Sequence, residues 1–109
     1  MILRSGDFTL YYLIMQTLKG YMSLKWDHFL HSTKNKNILL VEKKGRKETY
    51  PQAREFDAEG NPVRDIDFTD HSRPQNHPCP HQHEHKPNPT GGTPTRDPKG
   101  QPVPGWNYS

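Results

Sequence analysis

The chain has 109 residues, 29% of them hydrophobic, with 15 Lys and Arg against 12 Asp and Glu for a formal charge of +3. A soluble domain is ordinarily about half apolar, so this composition allows one small domain and excludes a large core. The single Cys79 excludes an intramolecular disulfide framework and any all-cysteine zinc site within one chain. Zinc would need histidines. A charge of +3 spread over this length is a weak field, so a nucleic-acid partner requires local clustering of the basic residues.

Residues 1–42 hold 21 of the 32 hydrophobic residues and no proline, whereas residues 43–109 hold all 11 prolines and five of the seven histidines. This step divides the chain into an apolar segment (1–42) and a proline-rich remainder (43–109). The fold class it predicts is α+β: an N-terminal helix, a short antiparallel sheet and a long irregular proline-rich C-terminal segment. The most apolar run, Phe8 to Met15, is far shorter than the ~20 residues that span a bilayer, so no membrane insertion is expected. Acidic Asp7 follows Arg4, and no Ala-x-Ala pattern follows Met15, which argues against a secretory signal peptide.

Tyr11, Met15, Leu18, Met22, Trp26 and Phe29 step by three or four along one face, predicting a helix from about Tyr11 to Leu30 whose stripe packs into the core. After the polar stretch 31–37, Ile38-Leu39-Leu40-Val41 reads as a short buried strand. Lys43-Lys44-Gly45-Arg46-Lys47 carries four positive charges; it reads either as a phosphate contact or as a solvated turn between strands. Glu59-Gly60-Asn61-Pro62 sits between alternating segments and signals a hairpin. On the strand that follows, Val63, Asp65, Asp67 and Thr69 face one way and Arg64, Ile66 and Phe68 the other, with Ile66 and Phe68 buried. Beyond Asp70 the frequent prolines forbid helix. The stretch from Lys86 is expected to be ordered only if it wraps the domain.

The dense polar feature runs from Asp65 to His85 and places five histidines, at 71, 77, 81, 83 and 85, within fifteen residues. Histidine accepts and donates protons near neutrality, and a flanking carboxylate fixes its tautomer. On an extended strand His81, His83 and His85 project from one face about 7 Å apart, with Gln82 and Glu84 opposite. Such a face suits either acid–base work or metal binding, with Cys79 as a fourth ligand beside His81, His83 and His85 for zinc or another divalent ion. Metal-free RNA cleavage needs a base for the 2′-hydroxyl, an acid for the leaving oxygen and a cation for the phosphorane. Candidates are His71, His81 and His83 as acid and base, with Arg54, Arg64 and Arg73 as guanidiniums that clamp phosphate.

The strings Gln52-Ala53-Arg54-Glu55-Phe56-Asp57, Gly60 through His71, Arg73-Pro74, His77-Pro78, Pro80-His81-Gln82-His83 and Asn88 through Pro94 resemble the C-terminal toxin modules of bacterial polymorphic toxins, specifically the type 24 domain. The resemblance covers roughly residues 44–95, and within the proline-rich remainder it sets a toxin-like domain at 43–95 and a tail at 96–109. It implies a small exported effector, a ribonuclease that meets a cognate immunity protein in the producing cell. The polar residues it implicates are Arg54, Arg64, Asp65, Asp67, Asp70, His71, Arg73, His77, His81 and His83. The expected location is the cytoplasm of a target cell after secretion, or the cell's own cytoplasm if the chain is an orphan cassette.

The leading expectation is therefore a metal-independent ribonuclease, requiring no cofactor, with catalytic His71, His81, His83, Asp70 and Arg73. Arg54, Arg64, Lys44, Arg46 and Lys47 would hold the RNA. One alternative takes Asp70-His71-x-Arg73-Pro74 as part of a ββα-metal nuclease, in which a second His ligates a divalent ion. The other is a non-catalytic His-rich metal-binding or interaction segment, or an inactive toxin remnant.

Overall fold

The computed structural model describes residues 2–3, 21–32, 37–71 and 78–109. They form strand β1 (Ile2–Leu3), helix α1 (Tyr21–Ser32), and strands β2 (Asn37–Lys44), β3 (Thr49–Phe56), β4 (Pro62–Asp67), β5 (His81–Lys86), β6 (Thr95–Arg96) and β7 (Gln101–Pro102). The fold is α+β. Strands β1 to β5 lie side by side in chain order, each antiparallel to the next, and β6 and β7 both pair with the far edge of β5.

The described helix covers Tyr21–Ser32, and the start expected at Tyr11, residues 11–20 and the apolar run 8–15 fall outside the described residues. Of the expected stripe, Trp26 and Phe29 are buried, joined by Leu30. They pack on the sheet face that carries Ile38, Leu40, Ala53 and Ile66, with Phe68, Val103 and Trp106 closing the cluster. The rings of Trp26 and Phe68 meet edge-on at 5.5 Å, and Phe29 lies 5.7 Å from Trp106. Ile38 alone of the Ile38–Val41 run is fully buried: alternation turns Leu39 and Val41 to the other face of the sheet, and Leu40, on the core face, is partly buried.

The basic stretch forms the β2–β3 turn, closed by a hydrogen bond from the Gly45 N–H to the Glu48 carbonyl, with Lys43, Lys44, Arg46 and Lys47 exposed. The β3–β4 hairpin is held by Asp57, whose carboxylate accepts from the N–H groups of Glu59 and Asn61. Gly60 supplies the φ of 85° that this turn demands.

β2 runs across the compositional step at 42/43, and β6 across the expected domain boundary at 95/96. The last residues contribute to the core through Val103 and Trp106. Tyr108 fastens them: its hydroxyl accepts from the Val103 N–H at 2.7 Å and donates to the Pro80 carbonyl at 2.6 Å. No described residue after Ser32 is helical.

Candidate active site

Strand register builds the site on the sheet face opposite the helix. Asp65 lies between Arg54 on β3 and His83 on β5, and Asp67 between Gln52 and His81. Because side chains alternate, Tyr50, Gln52, Arg54, Asp65, Asp67, His81, His83 and His85 all project from this face, and β6 adds Arg96 opposite His85.

Both aspartates are buried at 1% exposure and depend on their neighbours for charge balance. Asp65 Oδ1 accepts from Arg54 Nε at 2.7 Å and lies 3.2 Å from His85 Nε2, while Oδ2 takes Arg96 Nε at 2.9 Å. Asp67 Oδ1 accepts from Gln52 Nε2 at 2.8 Å. Its Oδ2 faces His81 Nε2 at 3.4 Å, His83 Nε2 at 3.6 Å, His71 Nε2 at 3.9 Å and Arg96 Nη2 at 3.4 Å. Burial pushes the Asp67 carboxyl up, but the neighbouring His81 imidazole, the hydrogen bond from Gln52 and the Arg96 charge outweigh that, and its pKa falls below the usual carboxylate value. At Asp65 burial acts in the same upward direction and is outweighed by Arg54 and His85, so that pKa falls too.

The imidazoles are oriented by backbone. Nδ1 of His81 bonds the Thr69 carbonyl at 2.8 Å, and Nδ1 of His83 bonds the Asp97 carbonyl at 3.0 Å. A carbonyl only accepts, so each Nδ1 carries a proton and each Nε2 is turned toward Asp67. Burial, and then the Arg96 charge, push the His83 pKa below the ordinary histidine value, which favours the neutral ring. His71 arrives from the loop after β4 with φ 52°, a left-handed conformation uncommon for a residue with a side chain. Its N–H is held by Thr69 Oγ1 at 3.0 Å, and that hydroxyl donates to Glu48. The His71 ring lies 5.1 Å from His81 and edge-on to Tyr50 at 5.1 Å, and His81 lies 4.9 Å from His83. The Tyr50 pKa is raised by burial and then by Asp67, so its hydroxyl stays protonated.

The expected residues divide clearly. His71, His81 and His83 come together around Asp67, with Arg54 on the neighbouring Asp65. Asp70 is half-buried just before His71, and Arg73 and His77 lie outside the described residues. Arg64 belongs elsewhere: it projects from the helix side, bonds Glu55 at 3.1 Å and Gln82 at 2.9 Å, and sits 5.2 Å from the centre of the Phe29 ring. Its even-numbered place beside Ile66 on β4 dictates this, so it does not hold substrate on the site face. Lys44, Arg46 and Lys47 are exposed at and beside the β2–β3 turn.

The metal set also changes. Among the described residues the ligand atoms that converge are those of Asp67, His71 and His81, all within 4.8 Å of one another, and this group can hold a metal ion. It takes His81 from the set of Cys79, His81, His83 and His85 and replaces the rest. Cys79 is an exposed residue whose sulfur is sheltered enough that desolvation, then Asp70 and Glu48, raise its pKa, leaving it a poor thiolate.

Arg96, Gln52, Tyr50 and Glu48 complete the site without having been singled out in the sequence. Tyr50, Gln52 and Arg54 alternate on β3, a period that was available to be read. Arg96 carried no local signal, because only the return of the tail along β5 brings it to Asp65. No family model, curated protein or solved structure matches the chain. Function therefore rests on the chemistry of the site.

Proposed function

We propose that this chain is a nuclease toxin domain that cleaves RNA without a metal, by acid–base catalysis from histidine. The observation that carries the reading is the meeting of His71, His81 and His83 on one carboxylate, Asp67, with two partly exposed arginines on the same face. The His71 side chain is 33% exposed and reaches a substrate, whereas His81 and His83 are both buried, at 0% and 4%; between these two it is the lowered pKa of His83, favouring its neutral form, that assigns it as base. The Arg54 and Arg96 side chains, at 37% and 39%, offer donors to a phosphate while anchored by Asp65.

In this scheme neutral His83 takes the proton from the 2′-hydroxyl, the 2′-oxygen attacks phosphorus, and His71 gives a proton to the departing 5′-oxygen. The products are a 2′,3′-cyclic phosphate and a 5′-hydroxyl. Asp67 and Glu48, 3.9 and 3.7 Å from the two His71 nitrogens, complement an imidazolium there. DNA lacks the 2′-hydroxyl and is not cut. The toxin context, an immunity protein as partner and action in a target cell's cytoplasm, comes from the resemblance of residues 44–95 to the type 24 domain.

The ββα-metal alternative needs a helix after its histidine, which the prolines at 74, 78 and 80 disfavour, and none of the described residues 78–109 is helical. The test is RNA cleavage by the purified chain in a chelator, with His71→Asn as comparison, since Asn accepts a left-handed backbone. The expected result is chelator-resistant cleavage that falls about 100-fold or more in the variant. A wild-type chain that leaves RNA intact would refute the proposal.

A further inference from the structure

Asp67 Oδ2 meets the Arg96 guanidinium at 3.4 Å on one side and two imidazole nitrogens on the other. The Nε2 atoms of His81 and His83 face it at 3.4 and 3.6 Å, and their Nδ1 protons are already committed to backbone carbonyls. A neutral imidazole so oriented turns an acceptor toward an acceptor. A proton relieves this, and so does a metal ion.

The dimensions favour a particular ion. Four ligands at about 2.0–2.2 Å around a tetrahedral zinc lie roughly 3.3–3.6 Å from one another. Asp67 Oδ2 is 3.4 Å from His81 Nε2 and 3.9 Å from His71 Nε2, and the whole group of ligand atoms fits within 4.8 Å. Closing on a metal asks for shifts of an ångström or so, available to His71 on its loop. His81 already has the outer partner usual for a ligating histidine, a backbone carbonyl at Nδ1, here from Thr69 with Pro78 at 3.2 Å. The partial exposure of His71 leaves a way in and room for a water as fourth ligand.

The geometry points to a zinc site formed by Asp67, His71 and His81, at which bound zinc switches off cleavage by withdrawing His71 from proton transfer. The inhibitory half rests on the ribonuclease reading above; the site itself does not.

Zinc chloride titrated by calorimetry into the full chain, stripped with chelator and dialysed, tests the site directly. One zinc per chain is expected. His71→Asn and, separately, His81→Gln should weaken binding at least about tenfold, while Cys79→Ser leaves it unchanged. Absence of stoichiometric binding, or binding lost in Cys79→Ser and retained in the histidine variants, overturns the site. In the RNA assay, cleavage should fall in proportion to zinc occupancy and return on chelation, whereas a zinc-stimulated rate overturns the inhibitory role. A chain that binds zinc but never cuts RNA defeats the ribonuclease reading and the inhibitory half, leaving the site established by calorimetry.

Discussion

Asp67 is the side chain on which the site's charges converge, and its replacement separates charge from hydrogen bonding. In Asp67→Ala, Gln52 loses its acceptor and the buried His81 the carboxylate beside its Nε2, while Arg96, at 39% side-chain exposure, can turn toward water. The expected cost is about 2–4 kcal/mol, below the full penalty of an unpaired buried charge because Arg96 is not fully buried. Asp67→Asn should cost less, since its amide oxygen still accepts from Gln52 and its nitrogen donates to an imidazole Nε2. Urea unfolding of the two variants checks the order. At this scale much was legible: the alternation of Asp65 and Asp67, and of His81, His83 and His85, set both rows on one face. The burial of that face was not, because it depends on neighbours far along the chain, Arg96 above all.

Among the elements, the C-terminal segment determines how β5 is held. Its two short strands flank β5 at residues 81–82 and 85–86, and the chain bulges between them, with the Asp97 N–H donating to the Glu84 carbonyl. Tyr108 bolts the end of this segment to Pro80, next to His81. Tyr108→Phe leaves the Val103 N–H and the Pro80 carbonyl without that hydroxyl, and should cost about 1–3 kcal/mol in denaturant unfolding. An unchanged midpoint would show that the bolt contributes nothing. The hairpin at Asp57–Asn61 could be read from its turn residues, and the core face of α1 from its three-and-four spacing. The pairing of 95–96 and 101–102 with β5 could not, since two-residue strands have no period and their partners are distant in sequence.

For the whole molecule, the two faces of one sheet do different work: α1, Val103 and Trp106 cover an apolar side, and a charged row occupies the other. That division makes stability sensitive to acid. The carboxyls of Asp65 and Asp67 have depressed pKa values in the folded chain, so each contributes stability above about pH 4 that is lost as pH falls through the folded value. His83, also depressed, favours the folded state above about pH 6.5 and ceases to as pH drops through its folded value. A series of thermal midpoints should therefore show a shallow decline below about 6.5 and a steeper one below about 4. Midpoints that rise on acidification would contradict this electrostatic arrangement.

We propose that these imidazoles cut RNA by means of the substrate's own 2′-hydroxyl. End analysis of the products formed in excess chelator tests it most directly. Fragments ending in 2′,3′-cyclic phosphate and beginning with 5′-hydroxyl, absent when the nucleotide at the cut carries no 2′-hydroxyl, are the predicted result. Fragments with 5′-phosphate ends, or cutting that persists through a 2′-deoxy position, would contradict it.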